Sequence, residues 1–162
     1  RYANLAIEGE LAVELSREPT VDDFSGVEVP ACVARVFPVI ELHNHVMRGK
    51  QPSAGELIAN NALHAGVVAG CGASAEETSG EPLLAIFAND RLLDECEGAS
   101  LIQTIGSSLE WLMEILRARG ERLSAGQIIL TGSIPSLIPV GEDCCIRVDA
   151  APFGRAEVKF IT

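Results

Sequence analysis

Aromatic side chains are scarce in this sequence, at 4% of residues, so its core has to be built from alanine, valine, isoleucine and leucine. Positive charge is scarce too. Twelve Lys and Arg stand against 23 Asp and Glu, a formal net charge of −11. That balance argues against nucleic acid or an anionic membrane as a partner, since both attract basic surfaces. An anionic substrate would need a metal ion or a local positive pocket. No apolar run approaches the roughly 20 residues of a membrane span, and the first residues lack a signal-peptide pattern. No C-x-x-C pair occurs among the five cysteines, Cys32, Cys71, Cys96, Cys144 and Cys145. An odd number, two of them adjacent, does not make a disulfide framework, and a reducing, cytoplasmic setting is the expectation.

What is present suits one globular domain. The 162 residues are 48% hydrophobic and 22% charged, enough to bury roughly two-thirds of the unfolded surface. The chain opens at Arg1 and enters a strand almost at once, which reads as a piece of something longer.

The stretch Ile7-Glu8-Gly9-Glu10-Leu11-Ala12-Val13-Glu14-Leu15 organises the rest. It alternates as a half-buried strand does. Glu8 and Glu10 then share a face, roughly 7 Å apart at about 3.3 Å of rise per residue. Like charges so placed repel unless a cation lies between them, and a hard divalent ion such as Mg²⁺ takes such oxygen ligands. A solvated acidic face is the competing reading, and spacing alone leaves both open.

Downstream, Arg17 to Ser25 is a polar connection. Pro30 and Pro38 bracket an apolar stretch that reads as a short helix, followed by a strand Val39-Ile40-Glu41-Leu42. Glu41 is then a carboxylate among apolar neighbours, uncomfortable unless paired or coordinating. If the strand runs on, Glu41, His43 and His45 share a face, a two-histidine, one-carboxylate set that suits non-haem iron. If it ends near Leu42, the histidines fall in a turn without a ligand role, and this is the expectation. Ser53-Ala54-Gly55-Glu56 has the capping-box spacing of a helix start, with Asn60 and Asn61 near its end. Val67 to Ala69 is a brief strand. Gly70-Cys71-Gly72-Ala73-Ser74-Ala75 matches a loose dinucleotide fingerprint, but Glu76 and Glu77 follow and no helix does, so it reads as a turn. Leu83 to Phe87 and Leu92 to Cys96 form a hairpin through Asn89-Asp90. A helix is expected from about Ser107 to Arg119, with Leu109, Leu112, Met113 and Leu116 on its apolar stripe and Gly120 ending it. Gln127 to Leu130, Cys145 to Asp149 and Ala156 to Ile161 read as strands. The order gives a strand-rich α+β domain.

In this order, Glu8-Gly9-Glu10-Leu11-Ala12-Val13, Ile40-Glu41-Leu42, Glu56-Leu57-Ile58-Ala59-Asn60-Asn61-Ala62, Leu109-x-Trp111-Leu112 and Gly126-Gln127-Ile128-Ile129-Leu130-Thr131-Gly132-Ser133 form a recognisable set. It resembles the 2-keto-4-pentenoate hydratase and 4-oxalocrotonate decarboxylase group of the fumarylacetoacetate hydrolase superfamily. The resemblance covers nearly all of the chain and the C-terminal two-thirds or so of a typical member. It implies a mixed β-roll with flanking helices, like the fumarylacetoacetate hydrolase C-terminal domain, over a single catalytic-type domain 1–162, with the family's N-terminal segment absent.

The resemblance further implies Mg²⁺ or Mn²⁺ held by Glu8, Glu10 and Glu41. It places Thr131, Gly132 and Ser133 on the substrate side, and a small 2-keto or 2-hydroxy-dienoic acid as substrate, polarised at its carbonyl. The activity implied is a lyase, a hydratase of aromatic catabolism, with the sister decarboxylase and a non-catalytic subunit as alternatives. A homo-oligomer is implied too. Three features depart from the family pattern. The third glutamate is followed by Leu42-His43-Asn44-His45 in place of Asp and Arg. A D-N-A-S helix becomes Asn60-Asn61-Ala62-Leu63. The family's catalytic lysine belongs before the E-x-E strand, and Lys50 and Lys159 lie outside that motif, so no general acid or base is assigned.

Overall fold

Alternation at every second residue makes Leu5–Leu15 a strand, β1, flanked by partners on both edges of its sheet. The computed structural model describes residues 2–26, 28–47, 49, 52–74 and 81–161. After β1 come a 3-10 turn (Val21–Phe24), β2 (Val33–Asn44), α1 (Ala54–Ala59), β3 (His64–Ala69) and the short β4 (Ala73–Ser74). Then follow β5 (Leu83–Ala88), β6 (Arg91–Glu97), α2 (Ala99–Ala118), β7 (Ile128–Leu130), β8 (Ile138–Pro139), β9 (Cys144–Ala151) and β10 (Gly154–Phe160). One sheet has the order β3-β2-β1-β7, with β4 on β2 and β8 on β1; the other has the order β10-β9-β5-β6. All ladders among the described residues are antiparallel. The α+β roll with flanking helices is the architecture found.

The two sheets bury one core between them. Ile7, Leu11, Val13 and Leu15 of β1 and Val36, Ile40 and Leu42 of β2 pack with Leu84, Ile86, Ile146, Val148 and Phe153 of the second sheet and its turn. Each fully buried aliphatic side chain of this kind contributes about 1.5–3 kcal/mol relative to exposure. Gly9 occupies the same face. A Cβ there would lie 2.8 Å from the Ile86 side chain and 3.0 Å from Val148 Cγ2, so the second sheet rests almost directly on the β1 backbone. The residues either side of Gly9, Glu8 and Glu10, therefore point to the opposite face. On α2, Leu101, Ile105, Leu109 and Met113 recur at four-residue spacing and are buried, the stripe an amphipathic helix presents to a core.

Two elements differ from the sequence expectation. The stretch bracketed by Pro30 and Pro38 is strand, not helix, and β2 runs unbroken from Val33 to Asn44. Pro38 is tolerated because its carbonyl, and with it its nitrogen, faces the β3 edge where the ladder begins only at Val39 and Ala69. There the carbonyl accepts the Gly70 amide, and no ladder bond needs the missing N–H. Helix α2 starts at Ala99, well before Ser107, because Leu101 and Ile105 continue the apolar stripe through Gly106. The Gly70–Ser74 turn brings Gly72 so close to β2 that a Cβ would meet Phe37 Cβ at 2.6 Å and the Val36 carbonyl oxygen at 2.8 Å, with φ +77°. That is backbone packing, with no phosphate cradle to form. Glu76, Glu77 and Lys50 lie outside the described residues. All five cysteines are free thiols. Among the described residues no helix is long and apolar enough to cross a membrane.

Candidate metal centre

The β1–β2 ladder builds the site. Glu8 stands directly across from Glu41, Glu10 from Val39, and Ala6 from His43. Residues two apart on each strand share a face, so Glu8, Glu10, Glu41 and His43 all project from the side of the sheet opposite the main core. Carboxylates directly opposite each other are destabilising unless neutralised. The structure thus puts the three glutamates expected as ligands on one face and adds a histidine to them, and the ligand atoms it brings within 4.8 Å of one another are those of Glu8, Glu41 and His43, without Glu10.

Glu10 is the most buried of the group, 2% exposed. Its Oε2 accepts the Gly132 amide at 2.5 Å. Burial, then a hydrogen bond to Glu41 and the charge of Glu41, push its carboxyl up to about 8, against the opposing pull of the Gly132 amide. Burial works on Glu41 in the same sense, but hydrogen bonds from His64 and Glu10 outweigh it and hold Glu41 below the ordinary value. The two carboxyls therefore share one proton at neutral pH, carried on Glu10 and donated to Glu41. A cation bound between them would replace that proton.

His43 explains the rest. Its Nδ1 lies 3.3 Å from the Ala62 carbonyl oxygen. Its Nε2 is 3.3 Å from Glu8 Oε2 and 3.4 Å from Glu41 Oε2. Yet Nε2 is buried with no hydrogen-bond partner among the described residues. Ligand atoms of Glu8, Glu41 and His43 all lie within 4.8 Å of one another. Two ligands at about 2.1 Å from one ion can be about 4.2 Å apart, so a small closure of these side chains encloses a divalent cation. An orphaned buried nitrogen facing carboxylate oxygens is what a cation site leaves behind, and the residues fit one. His64 supports it from β3, with Nδ1 2.6 Å from Glu41 Oε1.

Thr131, Gly132 and Ser133 follow β7 and are tied to β1 beside Glu10. Thr131 is buried, and both its amide and its hydroxyl donate to the Leu11 carbonyl, at 3.1 and 2.7 Å. The Ser133 hydroxyl reaches the carbonyls of Gly9 at 3.2 Å and Pro135 at 2.9 Å. These hydroxyls hold the loop to the strand. The loop borders an open groove of about 470 Å³ that Ser107, Ser108, Trp111 and Leu112 line from α2.

Sequence reasoning set His43 in a turn and did not single out His64. The expected end of β2 at Leu42 hid the first, although Glu41-x-His43 carries the alternation of a strand. His45 does lie past the strand, and its amide donates to the Asn4 carbonyl. Nothing local could reveal His64, which reaches Glu41 only because the β2–β3 register shifts between Leu42 and His43, the kind of irregularity that re-aims a side chain.

No family model matches the chain. Solved structures do. 4-Oxalocrotonate decarboxylase from Pseudomonas putida G7, complexed with magnesium and adipate, superposes with a TM-score of 0.81 at 22% identity, over 99% of this chain and 62% of that one. Fumarylpyruvate hydrolase from Pseudomonas aeruginosa, in complex with Mn²⁺ and pyruvate, gives 0.74 at 10% identity, over 99% and 67%. 2-Hydroxyhepta-2,4-diene-1,7-dioate isomerase from Mycobacterium marinum gives 0.73 at 14%, over 99% and 60%. The fold is that of these enzymes. This chain spans 62% of the length of the decarboxylase.

Proposed function

We propose that this chain carries the metal-binding, catalytic-type domain of a lyase acting on a small 2-keto or 2-hydroxy-dienoic acid, with hydration of a 2-hydroxy-2,4-dienoate as the reaction. The observation that carries the reading is the carboxylate face of Glu8, Glu10 and Glu41 on β1 and β2, set beside a buried, unpartnered imidazole nitrogen. Glu8, Glu10 and Glu41 would hold Mg²⁺ or Mn²⁺, the ions bound in two of the similar structures. Bound there, the ion supplies Lewis-acid polarisation of the substrate carbonyl and neutralises the acid's charge.

The chain's own residues set the geometry. The Gly132 amide fixes the Glu10 carboxyl, and His64 fixes that of Glu41 through Oε1. The proton on Glu10 has to leave before all three carboxylates can take up a cation, so ion affinity rises with pH. Thr131, Gly132 and Ser133 form the wall nearest Glu10, and we assign them to the substrate side. The groove that begins at Gly132 offers Trp111 and Leu112 to an apolar chain, while the Ser107 and Ser108 hydroxyls on its wall donate to the Gln103 and Thr131 carbonyls. Lys159 is exposed on β10, in the other sheet, and is not assigned the proton transfer.

A second reading, 4-oxalocrotonate-type decarboxylation, is favoured by the likeness to the decarboxylase from Pseudomonas putida G7. Calorimetric titration with Mg²⁺ and with Mn²⁺, each with and without oxalate or pyruvate, tests the shared core of both. The ion is expected to bind alone, and the 2-keto acid mimic only with the ion. Absence of ion binding would refute the site. Consumption of a 2-hydroxy-dienoate without release of CO₂ marks the hydratase and CO₂ release the decarboxylase. Ion and mimic binding without turnover marks a non-catalytic subunit.

A further inference from the structure

We propose that His43 Nε2 is itself a metal ligand, making the centre a mixed nitrogen–oxygen site that selects a first-row transition ion such as Mn²⁺ or Co²⁺ over Mg²⁺. The inference rests on the metal-centre reading above and goes beyond its three carboxylates.

Three features of the imidazole carry it. First, the tautomer is set by its surroundings. Nδ1 faces the Ala62 carbonyl at 3.3 Å. A carbonyl oxygen only accepts, so Nδ1 carries the hydrogen and the neutral ring keeps its lone pair on Nε2. Metal-bound histidines characteristically donate their other nitrogen to such an oxygen, which fixes the ring and raises its basicity. Second, that nitrogen stands beside carboxylate oxygens. Nε2 is 3.3 Å from Glu8 Oε2 and 3.4 Å from Glu41 Oε2, buried, and without a hydrogen bond to either. A lone pair held against two carboxylates away from water is unfavourable until a cation sits among them. Third, the neighbouring carboxylate is divided between two tasks. His64 takes Glu41 Oε1 at 2.6 Å, and Oε2 is the oxygen nearest His43, open to an ion once the Glu10 proton has left.

Donor type then decides the metal. Mg²⁺ prefers oxygen and sheds water reluctantly, so a nitrogen donor adds little for it. Imidazole suits transition ions, and affinity for such a nitrogen rises from Mn²⁺ through Co²⁺ along the first row. An all-oxygen centre would discriminate far less between Mg²⁺ and Mn²⁺.

Pulsed electron paramagnetic resonance of the Mn²⁺-loaded chain reads the ligand directly. The expected result is nitrogen-14 modulation from a directly bound imidazole, kept in His64→Gln and lost in His43→Gln. In parallel, calorimetry should show Mn²⁺ binding at least roughly 10-fold tighter than Mg²⁺, the preference shrinking in His43→Gln through weaker Mn²⁺ binding. The wild-type spectrum decides even if His43→Gln does not fold. Bound Mn²⁺ without nitrogen modulation overturns the inference and leaves the carboxylate site standing. Modulation lost in His64→Gln but kept in His43→Gln overturns it too, in favour of His64. Failure of any divalent ion to bind overturns both.

Discussion

Glu10 makes the metal-free protein respond to pH in a direction opposite to that of an ordinary paired carboxylate. Its folded-state value is raised to about 8 by burial and by Glu41, against 4.5 for an unperturbed glutamate. Between those values the folded chain holds a proton that the unfolded chain has released. Stability attributable to Glu10 is therefore complete below about 4.5 and is lost as pH climbs through about 8. Glu41, held below 4.5, is ionised in both states over this range and adds no slope. One proton corresponds to about 1.36 kcal/mol per pH unit, so moving from pH 5 to pH 8 should remove about 3 kcal/mol. The residue is 2% exposed, so solvent screens little of this. Urea unfolding in EDTA at both pH values measures it, with Glu10→Gln as the comparison. The glutamine amide keeps the neutral state, donating to Glu41 and accepting from Gly132, and its stability should lack this loss. Saturating Mn²⁺ should reverse the wild-type trend, because the ion takes the proton's place and binds the folded state alone. Equal pH slopes for wild type and Glu10→Gln without metal would refute the shared-proton account.

Other outcomes follow from the same geometry. Glu8→Gln and Glu41→Gln should each weaken Mn²⁺ binding by roughly 10-fold or more while far-ultraviolet circular dichroism stays unchanged; full affinity in both would remove them from the site. Gly9→Ala forces a methyl against Ile86 and Val148 and should cost about 1–3 kcal/mol in urea unfolding, with part regained in Gly9→Ala combined with Ile86→Val. The guanidinium of Arg17 holds Asp23 well below its usual range, at about 2. That stabilisation is present above about 3.8 and lost as pH falls through about 2. Asp23→Asn should therefore cost about 1 kcal/mol at pH 6 and almost nothing at pH 2, the figure reduced because Arg17 is half exposed.

Much of the fold is written locally. The alternation through Glu8, Glu10 and Glu14 marks β1, and Asn89 and Asp90 adopt the positive φ values, 47° and 66°, that their hairpin turn requires. Gly120 ends α2 at φ +74°, where a helix C-terminus favours glycine. What misleads is punctuation overridden by tertiary context. Pro38 reads as a helix stop, and only the gap in pairing beside β3 lets it sit inside a strand. Gly106, Ser107 and Ser108 read as a helix start, and only burial of Leu101 and Ile105 carries the helix back past them. The site is legible to the extent that it lies along β1 and β2, where spacing dictates which side chains share a face. His64 belongs to a third strand, and no periodicity within β2 announces it. For Thr131 and Ser133, the residue types suggest donors for a ligand, whereas the fold has turned their hydroxyls onto the backbone of β1.

The hydrogen bond from Gly132 to Glu10 joins residues 122 positions apart, and Glu10 is at the same time a neighbour of β2. The ligand candidates themselves stand on the neighbouring strands β1 and β2, so what that separation supplies is the fixing of the Glu10 carboxyl. Closing so long a loop costs entropy before any contact rewards it, and folds dominated by such pairings are slow to reach their transition state. The β1–β2 pair and the hairpins of the second sheet can form early, while Glu10 gains its Gly132 partner only when the segment after α2 returns to the first strand. An ion at the proposed centre would then meet its ligands on β1 and β2 early, and a Glu10 carboxyl held by Gly132 only after the chain has closed that long loop.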